Sequence, residues 1–467
     1  MATSRPLIGK DLRFFVKTQS AFQTIAADYP SASDAVEPKS DGGLVVTPAQ
    51  SFTPIGDEAT GLAFAKRVIE QAHGVSWSSS ILAYLSGTAG TAPDWEPLLL
   101  LVASLQDSGG GTTTADGTGS HSGNESTFGV ASASGIAVGG WLSFVAGGQF
   151  CVRHITGVSG TNITVAPRIV IAGADALPAN GATVTDCRSY SFDSAIDDDR
   201  AATLFGAWAD YQARVVGAYA ESATLTLTPN QAPTLAMQGQ AFRLDQITYG
   251  LLDGAIDNSV TSVVVDRPIG PETMADEWYI TIGTEIMQVT AVSADGLTLT
   301  VVRGALSSSA ASHSDQDPIR PYRPSVTTTV NIPTGMCGSQ GMIGQYPVRW
   351  QSLTLEVSPG NVALPQALGD CALVSGYIQS GGGTLRITGT LLLDRDGQRA
   401  LRNVERREGT QVFAQIGSVD GVSLGVYAPT ARINDIPVSE ASDMLTVEIT
   451  CECLATTTSP PAWLGLC

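Results

Sequence analysis

The same short phrase occurs twice in this chain of 467 residues. Residues 217–223 read Gly-Ala-Tyr-Ala-Glu-Ser-Ala, and residues 425–431 read Gly-Val-Tyr-Ala-Pro-Thr-Ala. A strand–turn–strand pattern leads into each copy, at 203–219 and at 412–427. Further upstream in both halves, a strand runs into a short predicted helix. A repeated order of elements of this kind is typical of a duplicated domain. The repeat therefore limits the possible folds more than any single site does.

Composition favours short strands joined by tight turns. Apolar residues make up 43% of the chain and charged residues only 15%, and glycine occurs 50 times. This balance suits strands and glycine-rich turns better than it suits helical layers. A chain of this length has room for about two to four domains with their own cores.

The net charge of −19 argues against a protein that wraps nucleic acid, since phosphate binding needs a basic face. An acidic protein can still lie next to DNA if its function does not require it to bind the DNA. Of the 25 basic residues only Lys10, Lys17, Lys39 and Lys66 are lysines, so the surface is rich in arginine and suited to contacts.

The seven cysteines are scattered and odd in number, and we expect them to be free, buried thiols. Cys451 and Cys453 share one face of a predicted strand, a spacing that favours burial over a bridge between them. Free thiols fit assembly in the cytosol. The chain starts Met-Ala-Thr-Ser-Arg-Pro, which predicts no signal peptide, and its longest apolar run, residues 98–103, is too short to span a bilayer.

Alternation of apolar and polar residues predicts many half-buried strands. It is clearest at 445–453, where leucine, valine, isoleucine and cysteine alternate with threonine and glutamate. The same pattern occurs at 75–85, 225–227, 353–357 and 385–393. Strands of this kind form antiparallel sheets with one core face.

Two helices are predicted. Asp94 would cap the first, with Pro97 in its first turn and residues 98–105 behind it. Asp396 would open the second and Gly409 would close it. The sequence therefore predicts a mainly β fold with two antiparallel β-sandwiches, each with one flanking helix.

Each half also contains an inserted β-module. Both modules show an aromatic strand that begins at Trp141 or Trp278, a strand that ends in Val-Ser, and a strand that ends at Arg168 or Arg303. We expect both modules to lie on an outer surface, and the first to be dispensable for assembly.

The predicted organisation has seven segments. They are an N-terminal arm (1–40), the first part of the first sandwich (41–105), an inserted module (106–190), the second part of the first sandwich (191–244), a second inserted module (245–324), the second sandwich (325–460) and a C-terminal tail (461–467).

The arm combines Leu12, Phe14, Phe15 and Val16 with a proline- and serine-rich stretch. We expect it to become ordered against a neighbouring subunit, most simply in the next ring of an assembly; a free tail is the alternative.

Residues that could perform chemistry do not converge in the sequence. The four histidines, His73, His121, His154 and His313, have no histidine or cysteine at a metal-ligand spacing, and His121 and His313 lie in glycine- and serine-rich stretches. Because a metal or catalytic site needs several converging ligands, we predict none at these positions.

Three other stretches have ordinary structural interpretations. The run 197–199 of three aspartates could bind a divalent cation, but such a run is more often a solvated turn. The stretch from Asp394 to Gly397 has Arg399 where a calcium loop requires glycine, so a turn with a helix cap is favoured. Residues 56–66 lack P-loop spacing. No nucleophile elbow, zinc motif or carboxylate pair is visible, and we predict neither an enzyme nor a cofactor.

Two segments resemble a known family. Residues 77–94 read Trp-Ser-Ser-Ser-Ile-Leu-Ala-Tyr-Leu-Ser-Gly-Thr-Ala-Gly-Thr-Ala-Pro-Asp and continue to Pro97-Leu-Leu. This strand, loop and helix pattern resembles the tail tube proteins of long-tailed bacteriophages. Residues 217–239 are similar to the closing strands of that family, and residues 279–303 look like a small β-module that recurs in phage virion proteins.

The resemblance implies a sandwich whose strands join the sheets of its neighbours into a closed ring, with rings stacked around a channel for DNA. The chain departs from the usual tube subunit, which has a single domain and is much shorter. Because simple members of the family form six-fold rings, two sandwiches in one chain imply a homotrimeric ring that looks six-fold.

The implied partners are further copies of the chain and other tail proteins, such as tape-measure, terminator and distal tail proteins. The implied location is the virion, after assembly in the host cytoplasm. Genomic DNA would pass without specific binding, and a channel lined with carboxylates would let it slide.

Other functions stay open. A baseplate or tail-tip ring protein would share the same features. A phage cell-wall hydrolase would need a carboxylate pair or metal triad. A carbohydrate-binding adhesin would present aromatic clusters at loop tips, whereas Trp77, Trp141, Trp278 and Trp350 lie in strand patterns.

Overall fold

The chain is mainly β, with large antiparallel sheets, as predicted: strands account for 61% of the residues and helices for 3%. The computed structural model describes residues 12–19, 29–55, 67–192, 200–228, 231–271, 278–326, 331–332, 340–363, 377–379, 383–394, 397–399, 409–435, 438–441, 444–456 and 459–467.

The strands of the first half are β1 (Arg13–Thr18), β2 (Ala35–Val36), β3 (Pro38–Ile55), β4 (Arg67–Leu82), β5 (Ser104–Asp107), β6 (Thr112–Ser122), β7 (Glu125–Val130), β8 (Trp141–Ala146), β9 (Gln149–Ser159), β10 (Asn162–Ala166), β11 (Val170–Ile171), β12 (Ala174–Asp175), β13 (Thr183–Ser191), β14 (Ala202–Ala207), β15 (Tyr211–Leu227), β16 (Thr234–Ala241) and β17 (Arg243–Thr248).

The remaining strands are β18 (Gly250–Leu251), β19 (Ser262–Val264), β20 (Trp278–Ile282), β21 (Glu285–Val292), β22 (Thr298–Val302), β23 (Pro318–Pro321), β24 (Gln340–Ile343), β25 (Tyr346–Ser358), β26 (Asn361–Ala363), β27 (Tyr377–Gln379), β28 (Thr384–Leu392), β29 (Thr410–Ile416), β30 (Leu424–Asp435), β31 (Val438–Ala441), β32 (Met444–Cys453) and β33 (Trp463–Leu466). Helix α1 spans Glu96–Leu99, and a 3-10 turn spans Ala32–Asp34.

One antiparallel sheet runs through both halves of the chain, and we call it the spanning sheet. Its strand order is β3–β4–β16–β15–β25–β28–β32–β30. β31 lies on the same side of β32 as β30 does, and it pairs with the other end of β32. The two halves meet where β15 lies directly against β25.

Both β15 and β30 begin in a different sheet before they enter the spanning sheet. The first part of β15 belongs to the order β2–β1–β14–β15–β17. The first part of β30 belongs to the order β24–β29–β30–β33–β13–β5. One apolar cluster joins these layers and includes Phe14, Trp77, Leu204, Leu355 and Ile387.

The region of the first predicted module forms a closed ring of strands, in the order β6–β7–β10–β9–β8–β13 and back to β6. The region of the second has the order β18–β23–β20–β21–β22–β19. A bridge between Leu252 and Val265 links its first and last strands. When the six strands of each region are numbered along the chain, both regions have the same neighbours: first, sixth, third, fourth, fifth and second. Phe144 is buried in the core of the first and Trp278 in that of the second.

The first helix is much shorter than predicted. Its N-cap is Trp95 rather than Asp94, and it ends at Leu99, after a single turn. Trp95 is buried, and its Nε1 donates to the carbonyl of Tyr84 at 2.7 Å. Residues 104–107 form β5 instead of helix, because their pairing with β13 outweighs local helix propensity. Residues 397–399 are helical, and the rest of the second predicted helix lies outside the described residues.

The described part of the N-terminal segment, residues 12–19 and 29–40, packs on its own chain. β1 pairs along its whole length with β14 of the same chain. Phe14, Phe15 and Val16 are buried there, so the expectation that they pack on an adjacent subunit is wrong. The local sequence could not show this, because the partner strand lies far away along the chain.

The end of the chain is also a strand rather than a tail: β33 lies between β13 and β30. Cys187 at β13 and Cys467 after β33 form a disulfide, with Cα atoms 4.8 Å apart. The expectation of free thiols is therefore wrong for this pair. It holds for Cys151, Cys451 and Cys453, which are free and buried.

The first module region packs tightly against the second half. Trp141 from β8 stacks on Phe413 with ring centroids 6.4 Å apart, and the same buried cluster includes Tyr427. The indole of Trp463 packs against this cluster from β33. Residues 106–190 are thus built into the folded body, which reverses our expectation that they are dispensable.

The second module region packs against Tyr29 of the first half. The rings of Tyr279 and Tyr322 lie 4.8 and 5.8 Å from the ring of Tyr29. Gly250 is paired with Ile319, so the points where the chain enters and leaves the region are side by side. A short linker can therefore replace what lies between them.

We expect a variant in which a short Gly/Ser linker replaces residues 251–318 to fold. Its urea midpoint should stay close to that of the parent protein, because the main apolar cluster contains no residue from 251–318. The matched deletion of residues 106–190 should yield aggregated or unfolded protein, since each buried aromatic ring that it uncovers contributes about 1.5–3 kcal/mol. Circular dichroism and urea unfolding check both; equal stability of the two variants would contradict this assignment.

Candidate assembly interface

The spanning sheet has one buried face and one solvent-accessible face. Leu225, Leu355 and Ile387 are buried in the core. Their neighbours along the strands point the other way, because successive side chains alternate across a sheet. Glu356 and Arg386 are exposed on that second face, which we call the open face.

Threonines form a row across the open face. The sheet register places them directly opposite one another on β16, β15, β25, β28 and β32. In that order they are Thr234, Thr226, Thr354, Thr388 and Thr450. The row presents hydroxyl groups and methyl groups without charge.

The adjacent row carries alternating charges. Thr224 on β15 is followed by Glu356, Arg386, Glu452 and Arg432 on the next four strands. A guanidinium nitrogen of Arg386 lies 3.5 Å from Oε1 of Glu452. The described part of the open face is therefore nearly balanced in charge.

The spanning sheet ends in two open edges. At one end, β3 pairs with β4 and with no other described strand, and Val45 on it is 57% exposed. At the other end, β31 has β32 as its described partner, and Val438 is 56% exposed. Unpaired strand edges with exposed apolar side chains recruit further strands. Both edges are therefore candidate contact surfaces.

β3 and β4 extend beyond the strand next to them. β16 covers β4 only from Val75 to Leu82. Beyond that point, residues 49–55 and 67–74 pair only with each other among the described strands. A ribbon of two strands is marginally stable in water, so this ribbon is a third candidate contact surface.

A buried ion cluster stabilises the second module region. Glu285 is buried and accepts hydrogen bonds from Arg303 at 2.7 and 2.8 Å and one from His313 at 2.8 Å. Burial alone would raise the pKa of Glu285, but these bonds and one from the Ala311 amide lower it to about 2. In the first region, the corresponding Arg168 pairs with Asp175 at the surface. The recurring arginine in the sequence pattern is thus structural.

His154 is an aromatic packing residue. Its ring centroid lies 4.6 Å from that of Trp463 and 5.1 Å from that of Tyr427. Neither ring nitrogen has a hydrogen-bond partner among the described residues, and burial lowers the pKa of His154 to about 3. A neutral, enclosed imidazole without partners cannot shuttle protons to a substrate.

The other candidate residues do not come together either. His121 lies on β6, where its Nδ1 is 2.7 Å from the Ser126 hydroxyl, and His73 lies on β4. Oδ1 of Asp394 accepts a hydrogen bond from the Gly397 amide at 2.8 Å, as the side chain of a helix-capping residue does. The aspartates 197–199 and residues 56–66 lie outside the described residues.

Within the described part of the chain, no group of three or more histidine, cysteine or acidic side chains could hold a metal ion. No helix there is long and apolar enough to cross a membrane. The tryptophans Trp77, Trp141, Trp278 and Trp350 lie in strands β4, β8, β20 and β25, and the first three are buried.

No protein-family model matches the chain, and no curated protein is detectably similar to it.

We predict that His154 makes stability depend on pH. A histidine that stays neutral when folded but titrates near 6.5 when unfolded lowers stability as the pH falls from about 6.5 toward 3, by about 1.4 kcal/mol per unit. His154→Phe keeps the ring packing and should flatten this dependence. Urea unfolding at a series of pH values checks it; the same slope in both proteins would refute the assignment.

We also predict that Glu285→Gln destabilises the second module region by about 3–5 kcal/mol, because it leaves Arg303 buried without a carboxylate. Asp253→Asn, at an exposed acidic residue of the same region, is the control and should change little. In the parent protein the contribution of Glu285 is present above pH about 4.3 and is lost as the pH falls toward 2. Limited proteolysis and hydrogen exchange of this region measure the effect.

Proposed function

We propose that this chain is a structural virion protein of a bacteriophage tail that polymerises into stacked rings and forms the tail tube, the channel for DNA delivery into the host. The observation that carries the proposal is the spanning sheet, to which both halves contribute and which ends in open edges. The resemblance of residues 77–94 and 217–239 to tail tube proteins supplies the phage context.

The strand order supports a duplicated tube domain. The first half contributes β3–β4–β16–β15 and the second half contributes β25–β28–β32–β30. The repeated phrase lies on β15 and β30, and each of these strands forms a hairpin with the strand before it, β14 or β29. Tyr219 and Tyr427 occupy the same place in the phrase and are both buried. We interpret each half as one tube sandwich.

The pairing of β15 with β25, which we call the joint between the halves, is a model for the joint between two copies of the chain. Two rows of residues correspond when the register is followed from one strand to the next. The row in the first half is Ala223, Met237, Ser79 and Leu44, and the row in the second half is Ala431, Cys453, Leu385 and Val357. Ala223 lies opposite Val357 where the halves meet. The same joint between two copies would place Ala431 opposite Leu44 of the next copy, in place of Thr410 of β29, which lies opposite Ala431 within the single chain.

Three copies joined in this way would close a homotrimeric ring that looks six-fold, and closure would remove the open edges. We assign stacking between rings to the ribbon of β3 and β4, in place of the arm. The open face would then line the channel, and DNA would pass it without specific binding. Other tail proteins, such as tape-measure, terminator and distal tail proteins, would cap the tube. The protein would assemble in the host cytoplasm and reside in the virion.

A baseplate or tail-tip ring is the second candidate, since the same edges would close a single ring. The projecting ribbon favours stacking. A carbohydrate-binding adhesin has less support, because the tryptophans of β4, β8 and β20 are buried rather than displayed on loops.

The joint predicts a specific cross-link. Antiparallel pairing of Ala431 with Leu44 puts Thr430 opposite Val45 of the next copy, within the distance that a disulfide bridges. The variant Val45→Cys/Thr430→Cys should form covalent dimers and trimers on a non-reducing gel after mild oxidation. Val45→Cys/Val362→Cys, which pairs the same edge with an exposed residue elsewhere, is the control. Assembled protein without links between copies in the first variant would reject this joint.

A further inference from the structure

The arginines Arg386 and Arg432 of the open face lie next to carboxylates. Arg386 on β28 has Glu356 of β25 directly opposite on one side and Glu452 of β32 directly opposite on the other. Adjacent strands are about 4.8 Å apart. Arg432 on β30 lies opposite the same Glu452. Each guanidinium in this row therefore has a carboxylate on a neighbouring strand.

These pairs contribute little to the stability of the sheet. The side chains of Arg386 and Glu452 are 51% and 42% exposed, and their closest charged atoms are 3.5 Å apart. Exposed pairs of this kind are worth about 0–1 kcal/mol. The consequence of the arrangement is electrostatic: it decides what the arginines can bind.

An exposed arginine on an otherwise neutral surface binds phosphate well. Its planar guanidinium matches two phosphate oxygens and stays charged at all physiological pH values. The row beside it is made of Thr226, Thr354, Thr388 and Thr450, which offer neither competing charge nor repulsion. Without the glutamates, the described part of this face would be a phosphate-binding surface.

We propose that Glu356 and Glu452 mask Arg386 from the phosphates of double-stranded DNA, so that a duplex moves over the open face without being held. Glu452 forms an ion pair with the Arg386 guanidinium at 3.5 Å, and Glu356 lies directly opposite Arg386 on the other side. Both carboxylates repel a phosphate that approaches within the screening distance of about 8–10 Å. This inference rests on the proposed function, in which the open face lines the DNA channel. It attributes the weak DNA binding that we propose to the pairing of Arg386 with Glu356 and Glu452, rather than to the overall charge of −19.

The test compares binding of a fluorescent duplex of about 20 base pairs to the full-length protein and to the variant Glu356→Gln/Glu452→Gln, by anisotropy in about 50 mM salt. We expect the variant to bind at least about tenfold more tightly. Its affinity should fall as salt rises, because each phosphate contact adds about 0.9 to the slope of log affinity against log salt.

Two controls locate the effect. Addition of Arg386→Gln to the double variant should return the affinity to that of the parent protein. Asp253→Asn, which removes a negative charge from an exposed residue far along the chain, should leave DNA binding unchanged. If the double variant is unstable, the single variants Glu356→Gln and Glu452→Gln give the same test, with an expected gain of about threefold each.

The masking proposal is overturned if the glutamine variants bind the duplex no better than the parent, or if their gain survives the loss of Arg386. Because the assay uses dissolved subunits, its result does not depend on ring formation. Failure of the protein to polymerise would sink the proposed function and leave the masking result intact. Tighter DNA binding by the variants, together with normal tubes formed by the parent protein, supports both the masking proposal and the proposed function.

Discussion

The architecture depends on the backbone pairing of β15 with β25. Five residues of each strand, Ala223–Leu227 and Leu353–Val357, are joined there in antiparallel register. Unpaired backbone groups inside a protein are costly, so this ladder turns the open edges of two halves into the interior of one sheet. It also merges their cores, since one apolar cluster includes Leu225 from the first half and Leu355 from the second. Among the described strands of the spanning sheet, the edges that remain are the ones at β3 and at β30 with β31.

The repeated phrase begins with glycine in both halves, but for different physical reasons. Gly217 has a φ of +67° and lies where β15 passes from one sheet into the other, a backbone conformation that other residues rarely adopt. Gly425 instead lies under the indole of Trp141, and a Cβ atom there would be 2.3 Å from a ring carbon. In the second half the glycine serves the packing of the first module region. The same residue type thus has a different role in each copy of the phrase.

Local sequence patterns predicted the strands well and their partners poorly. Alternation correctly marked Val75, Trp77 and Ile81 as one buried face. It failed for Leu445, which is 50% exposed where β31 and β32 pair at the edge of the sheet. The pairing of β1 with β14, the place of β33 and the disulfide all join residues that are far apart along the chain. The alternating row of glutamate and arginine has the same origin, since only the register of four strands reveals it.

The most direct test of this account is electron microscopy of the purified, assembled protein, with native mass measurement to count the chains in each ring. The account predicts rings of three chains with six similar lobes, joined through the edges at β3 and at β30 with β31, that stack into tubes. A ring of six chains, or rings joined through other surfaces, would contradict it.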